Sequence, residues 1–92
     1  MIHRADINQA DIVKRLRQAG ASVVVLSSLG SGIPDLLIGW HGRNYLAEVK
    51  NLEGRGTKLT PDETLFFNQW QGQVDLVTCV EDVLSLLDAI EP

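Results

Sequence analysis

The chain has 92 residues, room for one domain (1–92) with a thin core. Its composition is that of a folded protein: 45% hydrophobic, 22% charged, with 8 glycines and 3 prolines. The net charge of −4 and pI near 4.9 argue, taken whole, against a simple basic nucleic-acid-binding module. One cysteine, Cys79, excludes an internal disulfide framework and suits a small buried hydrophobe in a reducing compartment. His3, His41 and Cys79 lack structural-zinc spacing. No apolar run is long enough to cross a bilayer, and the first residues carry no signal-peptide core, so the expected location is intracellular.

The first predicted element is a helix from Asp6 or Ile7 to Ala19. Asp6 is its candidate cap, Gln9 closes a capping box, and Ile12, Val13 and Leu16 form the apolar stripe. Gly20 stops it. Ala21 to Ser28 reads as a strand because valines cluster there. Leu29 to Gly32 is a turn. Asp35 to Trp40 is apolar almost throughout and is expected to be a strand buried on both faces. Residues 41–44 signal a tight hairpin, and Tyr45 to Lys50 is the third strand.

Asn51 to Thr60 is a polar loop. Thr60-Pro61-Asp62-Glu63 opens a second helix, with Thr60 as cap, Pro61 in the first turn and Glu63 closing a capping box. This helix carries Leu65, Phe66, Phe67 and Trp70, of which Phe66, Phe67 and Trp70 are expected in the core. Val74 to Thr78 is a fourth strand, lying beside the first or the third. Glu81 to Ile90 is a last helix with a wide apolar surface. The apolar excess on the two late helices fits either the core or a partner chain. The order α-β-β-β-α-β-α predicts an α/β sandwich around a mixed sheet.

The chemistry concentrates at Pro34-Asp35 and Glu48-Val49-Lys50. Glu48 and Lys50 are two apart on a strand and share a face. Hairpin pairing around Gly42-Arg43 would set residue 38 against about 47 and bring Asp35 to about 50. Two close carboxylates repel unless a cation sits between them. With a backbone carbonyl and water they make an all-oxygen site suited to Mg²⁺ or Mn²⁺. Lys50 beside such a site would orient a nucleophile or stabilise developing negative charge.

Ile33-Pro34-Asp35 followed by Glu48-Val49-Lys50 resembles the PD-(D/E)xK nuclease signature. The wider pattern resembles the stand-alone, phage-type members of its VRR-NUC branch. The likeness runs through residues 12–21, Gly30-Ser31-Gly32-Ile33-Pro34-Asp35-Leu36-Leu37, Gly42-Arg43-Asn44-Tyr45, Glu48-Val49-Lys50, Leu59-Thr60-Pro61-Asp62 and Trp70. It implies a restriction-endonuclease-like fold and metal-dependent phosphodiester hydrolysis. Asp35, Glu48 and the Val49 carbonyl would hold Mg²⁺ or Mn²⁺, with Lys50 beside the attacking water. Small stand-alone members resemble homodimeric Holliday-junction resolvases, so branched DNA and a second copy are the implied partners.

The superfamily usually has a glutamate on the first helix. Here the candidates are Gln9, which a helical wheel turns inward, and Asp11, which has the charge; Gln9 is preferred as a water-holding group or one acting through a neighbour. Some members of the family it resembles carry a glutamine early in the helix after Thr-Pro, where this chain has Glu63. A non-catalytic module binding branched nucleic acid or a protein is the alternative function. The charge distribution is polarised: residues 1–58 hold all eight basic residues and net +3, while residues 59–92 hold seven acids and net −7. DNA is therefore expected against the basic half. Lys14, Arg43, Arg55 and Lys58 would meet phosphates there, and the backbone of Ser31 and Gly32 would approach one.

Overall fold

The structure, a computed structural model, describes residues 5–50 and 58–90, and the side chains of 9–50 and 58–88. Helix α1 (Ala5–Gln18) is followed by strand β1 (Ser22–Val25) and a short 3-10 turn (Ser27–Leu29). Strands β2 (Leu36–Trp40) and β3 (Arg43–Val49) form a hairpin. Helix α2 (Pro61–Gln69), strand β4 (Asp75–Val77) and helix α3 (Val80–Ile90) complete the chain. The fold is mixed α/β, in the element order the residues predict. No helix among the described residues is long and apolar enough to cross a membrane.

Helix α1 begins at Ala5, so Asp6 lies within the helix rather than at its cap. Its end is a Schellman motif. Gly20 adopts φ 103°, the Gly20 N–H donates to Arg17 O at 3.1 Å, and the Ala21 N–H donates to Leu16 O at 3.0 Å. The buried stripe Ile12, Val13 and Leu16 packs on the sheet.

The sheet order is β1-β2-β3-β4, antiparallel except for the parallel β3–β4 pair. The fourth strand thus lies beside the third, not the first. One face carries Val23, Leu36, Ile38, Tyr45, Ala47, Val49 and Val77, all buried under α1 and α3 (Val80, Val83, Leu87). Each fully buried side chain of this kind contributes about 2 kcal/mol. The opposite face is less covered: Val24 is 53% and Leu76 40% exposed. Strand β2 accordingly alternates between buried and half-buried residues instead of being buried on both faces.

Helix α2 also departs from expectation. None of its residues is buried, and Leu65 (53%) and Trp70 (47%) are exposed. Its apolar residues are spread around the axis rather than gathered in a stripe, so no single face can be buried. Phe66 and Trp70 stack on each other, with ring centroids 5.0 Å apart.

The hairpin register differs from expectation by two residues. Leu36 pairs with Ala47 and Ile38 with Tyr45. The loop is His41-Gly42, with φ 50° and 78°, the paired positive angles of a type I′ turn. The turn therefore centres one residue before Gly42-Arg43. Continued past Leu36, this register sets Asp35 opposite Glu48 instead of Lys50.

Gln73 joins the late segment to the sheet. Its Nε2 donates to Leu46 O and its Oε1 accepts from the Leu46 N–H, both at 2.8 Å. The side-chain amide thus continues the β3 ladder before β4 begins. Gln73→Leu is expected to strand both half-buried Leu46 groups and to cost about 2 kcal/mol. Denaturant titration checks this, with a fall in midpoint at unchanged slope.

Candidate active site

The turn between β1 and β2 sets up the site. Gly30, Ser31 and Gly32 have φ of 68°, 59° and 77°. A Cβ on Gly32 would stand 2.3 Å from Asp62 O, so the first turn of α2 rests directly on this glycine. Pro34, fully buried, follows and leads into Asp35. The Leu26 N–H donates to Asp35 O at 2.7 Å, extending the β1–β2 ladder to that residue.

Asp35 is held by two donors. Its Oδ2 accepts from the Val49 N–H at 2.9 Å, and its Oδ1 from the Ser27 hydroxyl at 3.1 Å. Ser27 Oγ in turn accepts from Gln9 Nε2 at 3.1 Å. Gln9 therefore reaches the site through Ser27. Asp11 is exposed and does not line the groove, so Gln9 is the α1 residue that approaches Asp35.

Glu48 is 2% exposed, and it is the only buried charged residue among those described. Its Oε1 is buried and receives no hydrogen bond from a described donor. Lys50 Nζ stands 3.5 Å from Glu48 Oε2 and 2.7 Å from Glu63 Oε1. The Lys50 N–H donates to Val77 O at 2.9 Å, which ties its backbone to β4. Glu63 also closes the expected capping box: its N–H donates to Thr60 Oγ1 at 3.2 Å, and its Oε1 accepts from the Thr60 N–H at 2.9 Å. The cap thus delivers a carboxylate to Lys50.

Burial pushes the Glu48 carboxyl up, and a proton shared with Glu63 and repulsion from Asp35 add to it, to about 8. Burial also pushes Glu63 up, but Lys50 and the Thr60 N–H outweigh it and hold Glu63 at about 2. Burial would lower Lys50, but Glu63 and Glu48 overcome it and leave the ammonium above its ordinary value. Glu48 is a carboxyl with insufficient positive charge around it.

These groups line an open groove of about 1050 Å³ between α1 and the end of the β2–β3 hairpin. Its floor carries Asp35, Glu48, Lys50 and Glu63, and its α1 wall carries Gln9, Lys14 and Arg17. Arg17 also donates to Val23 O at 3.0 Å. No cluster of three His, Cys, Asp or Glu side chains forms a metal cage among the described residues. Asp35 and Glu48 are nonetheless a chemically suitable pair for a hard divalent cation. The unpartnered Glu48 Oε1 and the raised carboxyl are what such an ion would relieve.

The other sequence candidates scatter. Val49 lines the groove, with its N–H engaged by Asp35. Ser31 and Gly32 belong to the tight turn, where Gly32 serves the packing of α2. Lys58 is exposed ahead of α2. Arg43 stands at the far end of β3, about 23 Å along the strand from Lys50, beside a different cavity. Arg55 lies outside the described residues. Ser27, Arg17 and the Lys50 partnership of Glu63 have no counterpart in the sequence reading. Only the Thr60-Pro61 cap hinted at how Glu63 is held.

The shifts set a pH dependence. Glu48 has its folded value raised from 4.5 to about 8, so its contribution is full below 4.5 and is lost as pH rises through 8. Glu63, depressed to about 2, contributes above 4.5 and loses that contribution as pH falls toward 2. The metal-free melting temperature is therefore expected to fall between pH 5 and 8. Mn²⁺ or Mg²⁺ is expected to remove that fall by occupying the pair. Thermal melts with and without the ion check this.

Scans against protein-family models, curated proteins and solved structures each find no significant match for this chain.

Proposed function

We propose that the chain is a divalent-metal-dependent endodeoxyribonuclease of the restriction-endonuclease-like fold, selective for branched DNA and working as a homodimer. The observation that carries this reading is the convergence of Asp35, Glu48 and Lys50 in one groove beside α1. Asp35 and Glu48 would hold Mg²⁺ or Mn²⁺, with the Val49 carbonyl as a third oxygen. Such an ion supplies charge neutralisation and Lewis acidity at a phosphoryl oxygen.

The chain's own groups do the rest. Ser27 and the Val49 N–H fix the Asp35 carboxylate, and Gln9 fixes Ser27. Lys50, oriented by Glu63, places an ammonium where it can hold the attacking water or meet developing phosphate charge. Lys14 and Arg17 offer positive charge along the groove wall for the phosphates on either side. Two copies would bring two such sites to a symmetric junction. The exposed Val24, Leu65, Trp70 and Leu76 supply apolar surface for that pairing.

Incubation with four-way junctions, flaps, linear duplex and RNA in Mg²⁺ or Mn²⁺ tests the reading. Cleavage of branched DNA in preference to the others is expected, and a chain that leaves every substrate intact overturns it. The alternative, a non-catalytic binding module on this fold, is favoured by the lack of an acid among the described residues of the α1 wall of the groove, where Gln9 stands instead. It requires salt-dependent junction binding with no turnover in either metal.

A further inference from the structure

At the end of the sheet opposite the groove, the hairpin closes through His41-Gly42. A type I′ turn suits Asn or Gly at its first central position, because that residue must adopt a positive φ. This chain places histidine there, at φ 50°. The imidazole stacks on Trp40, with ring centroids 4.1 Å apart and planes 18° from parallel. His41 is exposed at the tip. A strained, exposed, stacked ring at a turn that tolerates a simpler residue calls for a function.

The surroundings are polar. A cavity of about 620 Å³ is lined by Ser22, Trp40, His41, Arg43 and Asn44, with the C-terminal end of α1 as one wall. Trp40 Nε1 is buried and has no acceptor among the described residues. The negative end of the α1 dipole disfavours a phosphate on the Ala19–Gly20 side. Arg43, paired with Trp40 in the ladder, offers the positive charge on the other side.

We propose that this hairpin tip is a second nucleic-acid subsite that receives an unpaired base. The base extends the Trp40–His41 stack from its outer face, and the adjoining phosphate meets Arg43. The inference rests on the nuclease reading and deepens it. Arg43 lies about 23 Å along β3 from Lys50. At 3.4 Å per nucleotide step, the tip meets the strand roughly seven nucleotides from the phosphate in the groove. A branch point or single-stranded flank is thereby recognised at a distance from the cut.

His41→Asn separates the ring from the turn, because asparagine suits this position. A cooperative melting curve shows that the variant is folded before its binding is read. Its affinity for a single-stranded oligothymidylate, read by fluorescence anisotropy in EDTA, is expected to fall roughly tenfold. Arg43→Gln is expected to lower the salt slope of that binding by about 0.7. His41→Gly serves the same purpose should the asparagine variant not fold. Unchanged affinity in the folded variant, or no single-strand binding by the unaltered chain, overturns the proposal. Loss of affinity in a chain that cleaves nothing leaves the subsite standing and overturns the nuclease reading instead. Cleavage by the unaltered chain with undiminished His41→Asn binding does the reverse.

Discussion

Glu48→Gln is expected to lower metal-dependent cleavage on the order of a thousandfold while making the metal-free chain more stable above pH 8. The two effects share one cause. Glu48 is 2% exposed, has an unpartnered Oε1, and is pushed up to about 8 by burial, Glu63 and Asp35. Ionising it without a cation costs stability. Glutamine keeps the shape and removes the charge, so the fall in stability between pH 5 and 8 should disappear. It also removes half of the carboxylate pair, and with it the expected Mn²⁺ stabilisation. Rates under single turnover and melting curves at pH 5 and 8.5 check the two halves. A variant that is both less stable and fully active contradicts the account.

Gly32→Ala is expected to be the most damaging small substitution away from the charged groups. Its φ of 77° alone costs a residue with a Cβ about 1–2 kcal/mol. The new methyl would also lie 2.3 Å from Asp62 O and 2.9 Å from the Glu63 N. Backbone cannot yield as a flexible side chain does, so either α2 moves or the turn does. A total of about 3 kcal/mol follows, on the order of 15 °C in melting temperature for a domain of this size. If α2 moves, Glu63 leaves Lys50 and activity falls even at low temperature. Gly42→Ala is the comparison, since a Cβ there meets nothing within 4 Å and its φ of 78° matches that of Gly32. Equal losses at the two positions would show that close packing against α2 is not what Gly32 provides.

The element order was legible because each boundary has local chemistry: Gly20 behind α1, the 41–44 turn, and the Thr60-Pro61-Glu63 cap. Both strand residues of the site were legible for the same reason, since Glu48 and Lys50 share a face by alternation alone. The register was not, because placing the turn required knowing that His41 and not Gly42 takes its first central position, at a positive φ. The Asp35–Ser27–Gln9 chain was hidden in another way. Residues 21–28 read as one strand, whereas the strand ends at Val25 and a 3-10 turn presents the Ser27 hydroxyl to Asp35. Helix α2 misled because Leu65, Phe66, Phe67 and Trp70 are apolar without sharing a stripe. Glu63 as a cap was visible, but its ion pair with Lys50 depends on α2 resting on Gly32, a contact between residues thirty positions apart in sequence.

Mn²⁺ calorimetry at pH 7.5 shows whether Asp35 and Glu48 together hold a divalent ion. Saturable binding is expected, with release of protons that grows as the pH is lowered from 8 toward 6, because burial raises the Glu48 carboxyl to about 8 and binding must displace its proton. That release is read from the dependence of the heat on the buffer. Both Asp35→Asn and Glu48→Gln should abolish the binding while remaining folded. Absence of saturable binding, or binding that survives both substitutions, would show that Asp35 and Glu48 hold no such ion.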